Sequence, residues 1–184
     1  MALLVASPLL LAIAIGVWIS DRGPVFYRAD RAGLGGERFR MYKFRTMRIV
    51  PGPRIAAAGD PRIFTFGRFL RRLKLDELPQ LINIVRGEMA FVGPRPEDPW
   101  IVEHKYTQAD RDTLNVLPGL TSPGTLYYVM HAELTLNPHA PEASYTGPMR
   151  RKLALDRDYI GKASAAGDLR LIFKTIRVLA RARH

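Results

Sequence analysis

The sequence predicts an α+β fold that is mainly helical, and three patterns within its 184 residues lead to this prediction. The first twenty residues form an apolar run of the kind that enters membranes. Residues 25–47 alternate apolar and basic side chains around a glycine-rich turn, as a short β-hairpin does. Several later segments place apolar residues three or four positions apart, which is typical of amphipathic helices. We therefore expect a membrane-inserted helix over residues 1–20 and a single domain over residues 21–184, with amphipathic helices at the membrane interface.

The apolar run is at the lower length limit for crossing the hydrocarbon of a membrane, and it contains no charged side chain. Arg22, Arg28 and Arg31 follow it closely, so the positive-inside rule places the rest of the chain on the cytoplasmic side. Ser7 and Pro8 interrupt the run, and a proline inside a helix removes a backbone bond and kinks the axis. We expect the helix to break there and to be re-entrant; a straight crossing and a buried helix of a soluble core are the alternatives.

The arms of such a re-entrant helix are uneven. Seven residues precede Pro8, whereas twelve follow it up to Ser20. We therefore expect either that upstream residues are missing from this sequence or that the first arm is short.

Composition and charge narrow the classes of function. Cysteine is absent, which excludes disulfides, thiol catalysis and cysteine-bound metals, and the four histidines show no metal-binding spacing. A net charge of +11 requires an anionic partner, which can be nucleic acid, lipid headgroups or a phosphorylated substrate. Basic residues dominate residues 22–74 and 150–183, whereas residues 96–148 carry seven acidic and two basic side chains. No helix-turn-helix, zinc-finger or RNP-type pattern is present, so we expect no nucleic-acid partner.

Residues 25–47 are predicted to form two short strands joined by a turn at residues 33–36. Two of their cations, Lys43 and Arg45, either keep the hairpin edge soluble or face a functional site. Residues 50–60 are predicted to form a surface loop. Residues 63–74 are predicted to form an amphipathic helix, whose basic face either lies at the membrane interface or is solvated.

The second half of the chain is predicted to be mostly helical. Helices are expected over residues 100–115, 150–160 and 169–182. A turn is expected at residues 118–121 and a strand within residues 119–130. The proline-rich stretch that ends at Pro148 is predicted to be poor in helix.

Residues 74–83 are the most informative stretch, because they place two adjacent carboxylates, Asp76 and Glu77, at the start of an amphipathic helix. This helix is predicted over residues 77–86, with Asp76 as its N-cap, Pro79 in its first turn and Gly87 as its C-terminal cap. One face of the helix is predicted to be buried and the other polar; the two sets are Leu78, Leu81, Ile82 and Val85, and Gln80, Asn83 and Arg86.

Two interpretations of Asp76 and Glu77 are compatible with this pattern. Aspartate caps helices and glutamate stabilises their first turn, so the pair can be purely structural. The alternative is chemical, because cations precede and follow the pair in the sequence: Arg68, Arg71, Arg72, Lys74 and Arg95. Guanidinium groups bind phosphate oxygens in a bidentate way and keep nearby carboxylates ionised, and therefore nucleophilic. This surrounding charge favours an anionic, phosphate-bearing substrate.

Eight short motifs follow one another along nearly the whole chain. They are Ser7-Pro8 within the apolar run, GPVFY at 23–27, RAG at 31–33, YKFRTM at 42–47, LDELPQL at 75–81, FVGPRPE at 91–97, PGLT at 118–121, and the tail from Asp158 to Thr175. In this order the motifs resemble those of bacterial sugar transferases of the small monotopic phosphoglycosyl transferase family. Two stretches depart from the commonest family pattern, namely Leu73-Lys74 and residues 122–126, so no sugar specificity is carried over.

The resemblance implies transfer of a sugar phosphate from a nucleoside diphosphate sugar, usually a UDP-sugar, to polyprenyl (undecaprenyl) phosphate, with UMP as the second product. It implies that Asp76 attacks the sugar-linked phosphate with Mg²⁺ present at Asp76, forming a covalent phosphosugar intermediate, and that Glu77 completes a catalytic dyad. Arg95 is the expected phosphate contact, and the weaker candidates are Lys43, Arg45 and Arg71.

The resemblance also implies a location. In such enzymes the equivalent of Ser7-Pro8 breaks a re-entrant helix at the cytoplasmic face of the bacterial inner membrane, among membrane lipids. There a soluble nucleotide sugar meets a membrane-bound lipid phosphate in the first membrane step of glycoconjugate synthesis, such as that of an exopolysaccharide. A noncatalytic alternative is a basic protein of the membrane surface, in which Asp76 and Glu77 only cap a helix. The sequence selects neither a sugar nor an oligomeric state.

Overall fold

A computed structural model describes residues 2–52, 59–132 and 141–181 of the chain. Over these residues the fold is α+β and mainly helical, as predicted. The helices are α1 (Ala2–Ser20), α2 (Thr65–Arg72), α3 (Gln80–Val85), α4 (Pro99–Lys105), α5 (Pro123–Tyr127), α6 (Pro141–Ile160) and α7 (Ala165–Arg181). The strands are β1 (Phe26–Ala32), β2 (Arg38–Phe44), β3 (Ala90–Val92) and β4 (Gly119–Thr121). Short 3-10 turns cover Leu34–Gly36, Leu75–Glu77 and Ala109–Asn115, and a π-helical turn covers Tyr128–Ala132.

Helix α1 runs without interruption through Ser7 and Pro8, so the predicted break is not present as a gap in the helix. A proline near the start of a helix removes one backbone bond, and the bonds beyond it continue the helix. One face of α1 is anchored in the hydrophobic core, where Ile13 and Val17 pack with Phe44 of β2. Within the part of the chain that the structure describes, no helix combines the length and the apolar character needed to cross a membrane.

Strands β1 and β2 form the predicted antiparallel hairpin, with Phe26 opposite Phe44 and Ala32 opposite Arg38. The turn between them needs glycine, because Gly35 has a φ of 65°, in the left-handed region that glycine enters without strain. The inward face of the hairpin packs into a second small core, formed by Ala29, Met41 and Met89. The alternation of apolar and basic residues in the sequence therefore corresponds to a β-hairpin that buries one face.

Strands β3 and β4 form a parallel pair, with Ala90 opposite Gly119 and Val92 opposite Thr121. The backbones approach so closely that a Cβ at Gly119 would overlap the backbone of β3 and the residue after it. The turn predicted at residues 118–121 is therefore wrong, because most of these residues pair with β3. The strand predicted within residues 119–130 is present but short, since α5 begins at Pro123.

The helix predicted over residues 100–115 is two separate elements. Helix α4 begins where Asp98 accepts a hydrogen bond from the Trp100 N–H (2.9 Å) and ends at Lys105, and a 3-10 turn follows over Ala109–Asn115. The chain between them is extended at Tyr106, which breaks the helical path. Periodicity alone did not reveal this break.

The prediction of little helix before Pro148 is wrong from Pro141 onward, because α6 starts there and contains Pro148. Its buried residues Met149 and Leu153 pack against α4, which stabilises a helix that composition disfavours. Helix α7 includes the predicted segment from residue 169. Residues 53–58 of the predicted loop, residues 133–140 and residue 182 lie outside the described residues.

Candidate active site

An uncommon backbone turn presents the two carboxylates. Helix α2 lies within the predicted segment 63–74, and after it Lys74 takes a left-handed conformation (φ 54°, ψ 23°) that is uncommon for a residue other than glycine. The 3-10 turn Leu75–Glu77 follows directly. Contrary to the prediction, Asp76 is not the N-cap of α3, because α3 begins at Gln80 and Pro79 occupies the position before it.

The buried face of α3 is also different from the predicted one. Gln80 and Asn83 are fully buried, whereas Val85 is 73% exposed. The Asn83 side chain accepts a hydrogen bond from the Tyr42 N–H (3.0 Å) and donates one to the Arg40 carbonyl (2.8 Å). These bonds satisfy a buried amide and fasten α3 to β2, the strand that carries Lys43.

Most of the predicted site residues meet in one cavity of about 430 Å³. Its charged floor consists of six side chains, namely Lys43, Arg71, Lys74, Asp76, Glu77 and Arg95. Its apolar wall comes from elements that are far apart in the sequence, and its main members are Leu78, Leu81, Phe91, Leu120, Leu126, Ile172, Ile176 and Leu179. The fold therefore brings the carboxylates, the cations and a large apolar surface to one place.

The carboxylate of Glu77 accepts hydrogen bonds from two cationic side chains. Arg95 contacts both of its carboxylate oxygens, with Nη1 donating to Oε2 at 2.9 Å, and Lys43 Nζ donates to Oε1 at 3.0 Å. Burial alone would raise the pKa of Glu77, but the charges of Arg95 and Lys43 outweigh it and hold the pKa well below the ordinary value for glutamate. Glu77 is therefore an ionised group that fixes both cations at the charged floor.

The environment of Asp76 differs from that of Glu77. It is buried, and its Oδ1 has no hydrogen-bond partner. Burial, followed by the negative charge of Glu77, raises the pKa of Asp76 above its ordinary value, against the opposing charges of Lys43, Lys74 and Arg71. The cations thus dominate the pKa of Glu77, whereas at Asp76 burial and the charge of Glu77 outweigh them. A buried oxygen without a partner is costly, so Asp76 is the group of the floor that is poised to meet a ligand.

A divalent cation fits this set of donors. Proteins hold Mg²⁺ with one or two carboxylates, while water and substrate phosphates complete its coordination. The free Oδ1 of Asp76 supplies one such oxygen, next to cations that suit a phosphate. No group of three or more His, Asp or Glu side chains forms a metal cluster among residues 2–52, 59–132 and 141–181. The residues present therefore fit a metal that Asp76 and a substrate phosphate hold together.

Arg45 lies outside the cavity. Its guanidinium group forms an ion pair with Asp21, donates to the backbone carbonyls of Asp21 and Pro24, and lies over the ring of Phe64. The side chain is only 4% exposed. The structure therefore does not bring Arg45 to the charged floor, because the nitrogens of its guanidinium group donate to the segment after α1.

The sequence patterns identified the charged floor but missed the apolar wall. Ile172, Ile176 and Leu179 of α7 are about 100 residues away from Asp76 in the sequence, so no local motif connects them. The hydroxyl oxygens of Thr121 and Thr175 lie 2.6 Å apart and link α7 to β4. The sequence signal for the α7 part of the wall was the apolar periodicity of that helix, which ordinary core helices share.

Several proteins that are similar to this chain in sequence have names that state an activity or a role. A protein of Xanthomonas campestris pv. campestris, named UDP-glucose:undecaprenyl-phosphate glucose-1-phosphate transferase, is 40% identical over 97% of this chain and 36% of its own length. A protein of the same name from Escherichia coli (strain K12) is 34% identical over 95% of this chain and 36% of its own length. The exopolysaccharide production protein ExoY of Rhizobium meliloti (strain 1021) is 38% identical over 95% of this chain and 78% of its own length.

The chain spans about a third of the length of the first two of these relatives. The match covers the whole charged floor, since the model of the family described as bacterial sugar transferase matches residues 1–182. The chain therefore belongs to the bacterial sugar transferase family.

Proposed function

We propose that this chain transfers a sugar-1-phosphate from a UDP-sugar to polyprenyl phosphate, with undecaprenyl phosphate as the natural acceptor and UMP as the second product. The observation that carries this proposal is the free carboxylate oxygen of Asp76 within a cavity that combines phosphate-binding cations with an apolar wall. The names of the relatives support the choice of substrates.

Asp76 is the proposed nucleophile. A carboxylate oxygen of Asp76 attacks the phosphorus that is linked to the sugar, the bond from that phosphorus to the bridging oxygen breaks, and UMP leaves with the electron pair. The result is an aspartyl-phosphosugar. Asp76 suits this role better than Glu77, because Arg95 and Lys43 occupy both oxygens of Glu77.

The acceptor completes the reaction. An oxygen of the polyprenyl phosphate attacks the same phosphorus, the bond to Asp76 breaks, and the carboxylate is regenerated while a polyprenyl diphosphate sugar leaves. Lys43 and Arg95, which Glu77 holds in place, offset the negative charge that collects when two phosphates meet. Arg71 and Lys74, which also line the cavity, supply further positive charge.

Mg²⁺ is the proposed cofactor, with Asp76 as its protein ligand. When bound, it would neutralise phosphoryl charge and favour the ionised form of the carboxylate. The raised pKa of Asp76 gives this proposal a physical reason, because burial and the charge of Glu77 disfavour the ionised form and a bound cation would favour it.

We also propose that the protein works at the cytoplasmic face of the bacterial inner membrane, with α1 as a re-entrant anchor among the lipids. Helix α1 buries one face in the core, and the opposite face exposes Leu11, Ile15, Trp18 and Ile19. An exposed apolar face of this kind is stable when it contacts lipid. The product would serve glycoconjugate synthesis, which agrees with the name of the ExoY relative.

Release of UMP tests the proposal. Purified protein in detergent is incubated with Mg²⁺, polyprenyl phosphate and a panel of UDP-sugars that includes UDP-glucose. We expect release by the wild type and at least a thousandfold loss, on the order expected for a covalent nucleophile, in Asp76→Asn. Asp110→Asn is the matched control, because Asp110 is also a buried carboxylate but does not line the cavity. Absence of UMP with every sugar would reject the transferase function.

The covalent step has a separate readout. Without an acceptor, the intact mass of the wild-type protein should rise by one sugar phosphate, and Asp76→Asn should show no such adduct. An adduct that persists in Asp76→Asn would mean that another residue is the nucleophile.

A further inference from the structure

Helix α7 presents three different surfaces around its axis. Successive residues of an α-helix are rotated by about 100°, so residues three or four apart share a face. The first surface faces the cavity and includes Ile172, Thr175 and Leu179. The second, which we call the exposed strip, is apolar and open to the outside, and it includes Leu169, Phe173 and Ile176. The third is basic and includes Arg170, Lys174 and Arg177.

Ile176 joins the first two surfaces. It lines the cavity, and its side chain is also 59% exposed. The apolar wall therefore continues out of the cavity, past Ile176, onto the exposed strip. A ligand that fills the site from the charged floor to this opening must have an anionic head and an apolar tail.

The polar groups of the α7 side of the cavity are already engaged with each other. The Thr175 hydroxyl donates to the Leu171 carbonyl (2.8 Å), and the Thr121 hydroxyl lies 2.6 Å from the Thr175 oxygen. A sugar or a uracil ring needs several hydrogen bonds from its site, because its buried polar groups are costly when unpaired. This side of the cavity suits a hydrocarbon better than either group.

We propose that the cavity-facing side of α7 binds the first isoprene units of the polyprenyl phosphate, while the phosphate lies at the charged floor and the rest of the chain leaves along the exposed strip. This assignment rests on the proposed function and adds the place of the lipid chain to it. Two observations support it: the apolar wall directly adjoins the cations, and the opening at Ile176 leads onto apolar surface. A chain leaving there stays in contact with apolar side chains and gains from every methylene that is kept from water.

A binding measurement with short, soluble probes tests this site without requiring catalysis. The full chain in detergent is titrated with a ten-carbon isoprenyl phosphate, with inorganic phosphate and with UDP. We expect the isoprenyl phosphate to bind more tightly than inorganic phosphate. Ile176→Asn should weaken binding of the isoprenyl phosphate by about tenfold and leave inorganic phosphate and UDP unchanged. Ile176→Ala should have a smaller effect in the same direction. This milder substitution tests the same contact if Ile176→Asn does not fold.

Val85→Asn is the matched control. Val85 is the last residue of α3, is 73% exposed, and belongs neither to the cavity lining nor to the exposed strip, so its substitution removes a similar exposed apolar group away from the proposed site. We expect its affinity for all three probes to equal that of the wild type. Equal losses in the Ile176 and Val85 variants, or a loss of UDP affinity at Ile176, would overturn the assignment.

Release of UMP measured on the same samples keeps the two proposals apart. A wild-type protein that binds isoprenyl phosphate through Ile176 but releases no UMP would retain this lipid site and reject the transferase function. A wild-type protein that releases UMP while both Ile176 variants bind the isoprenyl phosphate normally would retain the function and reject the lipid site.

Discussion

Two adjacent carboxylates in this protein have pKa values that are shifted in opposite directions. Glu77 is ionised because Arg95 and Lys43 contact it, whereas Asp76 is buried beside that negative charge and its pKa is raised. The same two cations donate to Glu77, whereas Oδ1 of Asp76 has no hydrogen-bond partner. The pair therefore divides into a residue that organises the charged floor and a residue whose oxygen is available to a ligand.

The pH dependence of the reaction should report Asp76. A carboxylate with a raised pKa becomes protonated at a higher pH than usual, so UMP release should fall on the acid side while Glu77 is still ionised. Because the charge of Arg71 lowers the pKa of Asp76, Arg71→Gln should move this acid limb to higher pH. The measurement is a profile of kcat/KM from roughly pH 4 to pH 8. An unmoved limb in Arg71→Gln would contradict this account.

Arg45 should matter for stability and not for substrate binding. Its guanidinium group is buried against Asp21 and Pro24, so Arg45→Met should lower the free energy of unfolding by about 2–3 kcal/mol, a moderate value because Asp21 is partly exposed. The KM for the UDP-sugar should not change. Arg71→Met, in the cavity, should show the reverse pattern, namely impaired turnover with nearly unchanged stability. Urea unfolding and initial rates measure the two effects, and a raised KM in Arg45→Met would refute the prediction.

At the scale of elements, local signals were readable from the sequence and tertiary ones were not. The hairpin was predicted because its alternation and its glycine turn are local features, and Gly87 ends α3 with a φ of 75° as its sequence position predicts. The buried face of α3 was not predicted, because Asn83 is stabilised by backbone groups of β2. Periodicity assigns amides to the outside unless their partners are known.

The candidate site also has a part that local sequence signals predict and a part that depends on tertiary packing. Asp76 and Glu77 lie close in the sequence to Arg71 and Lys74, so residue type and charge were enough to find this part of the site. Lys43 and Arg45 have the same charge and lie two positions apart, yet only Lys43 reaches the floor. The packing of the hairpin against α3 and α1 decides between them, and no sequence pattern describes that packing.

Helix α2 should tolerate no side chain at Gly67. A Cβ there would overlap the carbonyl group of Thr46, which is backbone and cannot rotate away. Gly67→Ala should therefore lower the free energy of unfolding by about 1–3 kcal/mol and impair UMP release, because α2 leads into the turn that holds Asp76. Gly161→Ala is the control, since a Cβ there has open space, and its effect should stay within about 0.5 kcal/mol. Equal melting curves for both variants would contradict this packing argument.

At the scale of the whole molecule, positive charge and exposed apolar surface act together. The net charge of +11 attracts the chain to anionic lipid, and this attraction weakens as salt screens it. The outward face of α1 and the exposed strip of α7 add a contribution that salt does not screen. Membrane binding should therefore have two components, which salt concentration separates.

The apolar component should depend on α1. Leu11 and Ile19 are 63% and 68% exposed on the face opposite the core, so Leu11→Asp combined with Ile19→Asp should remove apolar contact without disturbing Ile13 and Val17. In flotation with anionic vesicles at about 1 M salt, where the screening length is about 3 Å, we expect the wild type to stay bound and the double variant to be released.

At low salt both proteins should float with the vesicles, because the basic surface is unchanged. Leu34→Asp is the control: Leu34 is an exposed apolar residue in the hairpin turn, about 20 Å along the strands from Phe44, which packs on α1. It should remain bound at high salt like the wild type. Retention of the α1 double variant at high salt would show that α1 does not insert, and the anchor would then have to be sought in the exposed strip of α7 alone.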